Sequence, residues 1–94
     1  MNAMQVGIVK ECKRIAEMLC DKNRKYGDSL LHPISIFHKG SAIEAVNARI
    51  DDKLARIQNA PSDEDEDPEL DLIGYLIMKR VIKKILNASS GTPA

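Results

Sequence analysis

No apolar run in the sequence approaches the roughly 20 residues that cross a bilayer, and residues 1–7 lack the basic segment and apolar stretch of a signal peptide. Neither export nor a membrane span is expected, which makes the cytoplasm the expected compartment. Cysteine is scarce: Cys12 and Cys20 are the only two, and eight positions along one helix set them about 12 Å apart, beyond disulfide reach. They are expected as reduced thiols that pack as small apolar residues. A zinc site would need further soft ligands, and His32 and His38 lack a paired metal spacing. No metal site is expected. There is no Gly-x-x-x-x-Gly-Lys-Ser/Thr loop, no Gly-x-Gly-x-x-Gly fingerprint and no nucleophile elbow. Internal repeats and consecutive coiled-coil heptads are also missing.

What remains is a chain of 94 residues, 44% apolar and 30% charged, with the composition of a folded globular domain. A domain of this size buries only about 60–65% of its unfolded surface, so association with further copies would help to stabilise it. Lysine plus arginine balance aspartate plus glutamate at 14 each, yet the charges are unevenly placed. Residues 1–60 carry ten bases against seven acids, residues 63–71 carry seven acids and no base, and Lys79, Arg80, Lys83 and Lys84 restore the balance. A duplex-DNA binder would present a strongly basic face, so duplex DNA is not an expected partner. A local basic pocket for a small anion is compatible with the pattern.

Ile8, Cys12, Ile15 and Leu19 recur at helical spacing and predict a first helix over about 4–22. Lys22 to Ser29 has turn chemistry, and Pro33 opposes continuous helix, so a connector is expected there. Ser41 and Glu44 form a Ser-x-x-Glu start for a second helix reaching about residue 58, with Ile43, Val46, Ile50, Leu54 and Ile57 as its stripe. Asp67 as N-cap and Pro68 at the first helical position start a third, to about residue 87. Its first half is apolar nearly all round, and its last turns carry four bases, favourable at a helix C-terminus. The expected fold is all-α: a compact antiparallel bundle of about three helices over residues 1–88, with a flexible tail at 89–94, assembling into a homo-oligomer through the third helix.

Asp71 is the most informative residue, because it shares a helix face with Tyr75, Met78 and Ile82 rather than with the lysines. A carboxylate there must be paired, hydrogen-bonded or metal-bound. The alternatives are an ion pair to Arg49, Lys53 or Arg56, and a ligand or metal role. Gly74 beside it is unfavourable in a helix interior, which suggests close approach of another backbone or a ligand. Lys22, Asn23, Arg24 and Lys25, followed by Tyr26, Gly27 and Asp28, could hold a phosphate and stack on a base, or could form a solvated charged loop. Lys53 and Arg56, one turn apart, could clamp another phosphate or pair with Asp52 and the acidic run. That run could ligate magnesium or stand solvated.

The blocks Lys22-Asn23-x-x-Tyr26-Gly27-Asp28, Asp52-Lys53-Leu54-Ala55-Arg56-Ile57 and Glu66-Asp67-x-x-x-Asp71-Leu72-x-Gly74-Tyr75, in this order, resemble nucleotide-modification-associated domain 1 and related small helical domains of phages and prophages. Such domains look like distant companions of the MazG-like all-α nucleotide pyrophosphohydrolases. The resemblance implies a phosphate-bearing nucleotide as ligand, with Lys22, Asn23, Arg24, Tyr26, Gly27, Asp28, Lys53, Arg56, Asp71 and Tyr75 as the binding residues. It also implies a phage protein acting in the host cytoplasm. The Glu-Glu-x-x-Glu helix motif of the enzymes does not occur; Asn47, Asp51 and Asp52 are a loose substitute. The expected role is therefore sequestration of a nucleotide, such as a cyclic immune signal, without catalysis and without a cofactor. A magnesium-dependent pyrophosphohydrolase and a purely structural partner protein are the alternatives.

Overall fold

The computed structural model describes residues 1–27, 40–59 and 66–89. These form three helices, α1 (Ala3–Tyr26), α2 (Ala42–Asn59) and α3 (Pro68–Ser89). Each start follows from local hydrogen bonding. Asn2 caps α1: its Oδ1 accepts from the Gln5 amide at 2.8 Å while the Gln5 side chain accepts from the Asn2 amide at 3.0 Å. Ser41 Oγ accepts from the Glu44 amide at 3.1 Å to start α2, and Asp67 Oδ1 accepts from the Leu70 amide at 3.0 Å to start α3. The Ser41 and Asp67 starts are those the sequence predicts; the Asn2 start is additional.

At its other end α1 departs from expectation. Lys22 to Tyr26 are not connector but helix, and the chain turns only at Gly27, whose φ of 66° a glycine adopts without strain. Lys and Arg are good helix formers, Arg24 pairs with Asp21 one turn back, and Arg24 and Lys25 suit the negative end of the helix dipole. In α3 the reverse holds: the helix runs on to Ser89, so the four bases at 79–84 precede the last turn, which carries none. The dipole argument does not apply to them.

The core takes one side chain from each helix: Ile15, Val46 and Ile82 are 5%, 0% and 4% exposed. Helices α2 and α3 pack closely along each other. As α2 rises from Lys53 to Arg56 its ion-pair partners on the α3 side fall from Asp71 to Glu66, the order of antiparallel neighbours. The α1 helix meets α3 at Leu19, opposite the buried Gly74, where an added Cβ would lie 3.0 Å from Leu19 Cδ2. Gly74 thus leaves room for a close helix approach. Past that approach, Cys20, Asn23 and Arg24 of α1 border the same groove as Ile77, Val81 and Ile85 of α3, so α1 and α3 run in the same direction.

Much apolar surface stays uncovered. Met4, Ile8 and Val9 on α1 and Ile73, Leu76, Ile77, Val81, Ile85 and Leu86 on α3 are 40–73% exposed. Cys12 and Cys20 are exposed as well, so they are not the packing residues the sequence suggested; both are free thiols. The stripe to which they belong continues past the part of α1 that α3 covers.

Gly74 supplies the first test. Leu19 borders an open groove and can yield, so Gly74→Ala should change stability by less than about 1 kcal/mol, steric cost offsetting helix propensity. Gly74→Leu should lower the melting temperature by several degrees, because the longer side chain separates α1 from α3.

Candidate functional site

Lys53 reaches across from α2 to the start of α3, where its Nζ lies 3.0 Å from Glu66 Oε1 and 3.2 Å from Asp71 Oδ2. The lysine side chain is 15% exposed and the two carboxylates 24% and 27%. Glu66 also accepts from Arg56 Nη1 at 2.7 Å, and Arg56 Nε donates to Asp52 at 3.2 Å. Of the partners open to Asp71, the structure therefore selects Lys53. The amphipathic register of α2 explains why: Lys53 lies at the edge of the face turned to α3, whereas Arg56, nearly half exposed, lies farther out.

Five charges thus form one network of two cations and three carboxylates. The hydrogen bond from Lys53 to Glu66 raises the lysine pKa above its ordinary 10.5, helped by Asp71 and opposed by burial. Arg56 is likewise held above its usual value, first by the charge of Asp52 and then by Glu66. The network has one excess negative charge, and a phosphate that contacted Lys53 and Arg56 together would take the place of Glu66, the carboxylate that bridges them. A carboxylate is a suitable stand-in for phosphate oxygen, since both accept charge-assisted hydrogen bonds from the same donors.

The remaining candidate residues lie elsewhere. Lys22, Asn23, Arg24, Tyr26 and Gly27 share the C-terminal end of α1. Asn23 Nδ2 donates to the Gly27 carbonyl at 3.3 Å and Arg24 pairs with Asp21. Tyr26 is 66% exposed, with Lys25 Nζ 5.8 Å from its ring centre. Asp28 lies outside the described residues, as do acids 63–65 of the acidic run. Tyr75 is half-buried on α3, one turn after Asp71. Tyr26 falls level with about residue 81 of α3, some ten positions or about 15 Å beyond Asp71. One chain therefore presents two separate groups, the α1 end and the Lys53 network.

The sequence did not reveal a groove of about 450 Å³ between α1 and α3, bounded by Leu19, Cys20 and Arg24 on one side and Ile77, Val81 and Ile85 on the other. Its signal was present in the apolar surplus of α3, but its shape depends on how α1 is placed. Among the described residues no cluster of His, Cys, Asp and Glu is arranged to hold a metal ion, and no helix is long and apolar enough to cross a membrane. No family model matches the chain, and neither a curated protein nor a solved structure matches it.

Removing the lysine tests the network. Because its folded pKa is raised, Lys53 contributes stability that is present below about 10.4, the unfolded value, and is lost as pH rises through the folded value. Lys53→Met should cost about 1–2 kcal/mol at pH 7, below the range for a fully buried pair because the groups are partly exposed. Denaturant melts should show that gap unchanged from pH 7 to 9 and shrinking in more alkaline buffer. Asp71→Asn should cost less, since Glu66 still serves Lys53.

Proposed function

We propose that the protein binds a phosphate-bearing nucleotide and holds it without turning it over, as a small homo-oligomeric phage-type protein that sequesters a cyclic signal nucleotide in the host cytoplasm. The observation that carries the reading is the Lys53 and Arg56 pair. These two cations stand one turn apart, are held in place by Glu66 and Asp71, and leave the guanidinium half open to solvent. A phosphate that displaces Glu66 would inherit its hydrogen bonds from both. Tyr26, exposed beside Lys22 and Arg24, offers a ring for base stacking at a second locus. The order of the three sequence blocks points the same way.

The alternative of magnesium-dependent pyrophosphate cleavage is less well supported. Magnesium needs convergent carboxylate oxygens, and the Glu66 and Asp71 oxygens already converge on the Lys53 ammonium. A cation built into the chain thus fills the space between them. The exposed apolar faces of α1 and α3 would equally serve a purely structural partner role, which the ligand assay below separates from nucleotide binding.

The test incubates purified protein with nucleotides and cyclic dinucleotides, with and without magnesium, then denatures it and analyses the released molecules. Intact nucleotide should be recovered in both conditions. Shortened phosphate chains would replace this reading by the enzyme, and no retained nucleotide would remove both. In calorimetry Arg56→Ala should weaken affinity by about tenfold or more while helicity stays unchanged; wild-type affinity would assign Arg56 to surface pairing alone.

A further inference from the structure

The helices of this chain are out of step at both ends. With Leu19 opposite Gly74, Pro68 at the start of α3 falls level with about position 13, so α3 begins beside the middle of α1 and the residues before that position project beyond it. This projection is about 16 Å long at 1.5 Å per residue. It is a fully formed, capped helix whose Met4, Ile8 and Val9 are 73%, 53% and 53% exposed. An isolated helix of three turns is marginal in water, so such a projection calls for cover. At the other end Tyr26 closes α1 near the level of residue 81, and α3 continues to Ser89. There Val81, Ile85 and Leu86 are 42–49% exposed, and the first two line the groove, where Arg24 is the one charged lining residue among those described.

We propose that two copies pair antiparallel, each laying the projecting start of its α1 along the α1/α3 groove of the other, with Ile8 of one copy against Val81 and Ile85 of the partner. The inference rests on the homo-oligomer reading above and names its surface. Inverting one copy brings its projecting end beside the other's overhanging end, and the same contact is made twice about a two-fold axis. Such a pair is closed and leaves no repeating edge. The area agrees in kind: a stable interface takes about 800 Å² from each partner, and nine large apolar side chains on α1 and α3 are 40–73% exposed. Pairing side by side through the α1 projections alone would leave the α3 groove open, whereas the reciprocal arrangement covers both. It also sets residues 22–26 of one copy level with the start of the partner's α3, the end at which the partner's Lys53 lies. The two groups that one chain holds apart then share one end of the pair.

Light scattering should give the wild-type protein a mass of twice 10.4 kDa or an even multiple of it. Ile8→Asp and Val81→Asp alter exposed side chains, so circular dichroism should show both folded and light scattering should show both as monomers. An equal mixture of the two should regain dimer, because one of the two contacts is then intact. As a second measurement, Ile8→Cys with Ile85→Cys in a C12S, C20S background should form a disulfide between chains under mild oxidation. A monomeric wild type would overturn this pairing and the homo-oligomer reading together. An oligomer that survives both aspartates, or loss of assembly with Ile8→Asp alone, would overturn this pairing and leave the homo-oligomer reading standing. A monomeric variant that binds the recovered nucleotide with wild-type affinity would overturn the shared site, while loss of tenfold or more supports it.

Discussion

Val46 has no exposed surface, and the packing of α2 on α3 that it anchors determines where everything else lies. Once those two helices are antiparallel and in register, Lys53 reaches the start of α3, and Glu66 and Asp71 are the carboxylates it meets there among the described residues. The third helix of the bundle then docks by a single close approach, Leu19 over Gly74. A glycine at that point lets α1 come near without a deep layer of interlocking side chains. The cost is a core with one well-buried side chain from each helix and long apolar stripes left in contact with water.

Charge and apolar surface divide the molecule between them. The α2/α3 edge carries the ion network, in which two cations are held by three carboxylates and one guanidinium remains open. The α1/α3 edge carries the groove, almost free of charge. A network of this kind gives little net stability, since desolvation offsets much of the Coulomb attraction. Its effect is to fix direction: Lys53 and Arg56 are each held by two carboxylates and cannot swing freely. The Lys53 ammonium occupies the space between Glu66 and Asp71, where its charge opposes a second cation.

The helix starts were legible because they are local. Ser41 and Asp67 act on amides three residues away, so their identity suffices. The end of α1 was misread for the same reason in reverse: Lys22 to Lys25 look like turn material beside Gly27, but basic residues at a helix C-terminus are stabilised by the dipole and continue the helix. Asp71 was placed on an inward face by periodicity alone, and three basic partners were open to it. Choosing Lys53 required the register between two helices. Cys12 and Cys20 looked like core by residue type, yet they are exposed, because a stripe on a helix becomes core only where a second helix lies over it.

The sequence by itself determined that this chain is helical, where α2 and α3 begin, and that Asp71 needs a counter-charge. These are consequences of short-range hydrogen bonding and of a period of 3.6 residues, both carried within a few positions of the chain. Only the tertiary structure decided that Lys53 is that counter-charge, that the α1 end and the Lys53 network lie apart, and that α1 and α3 are offset to leave a groove. Those outcomes depend on how far one helix slides along another, a distance set by a few contacts such as Leu19 on Gly74 between residues far apart in the chain.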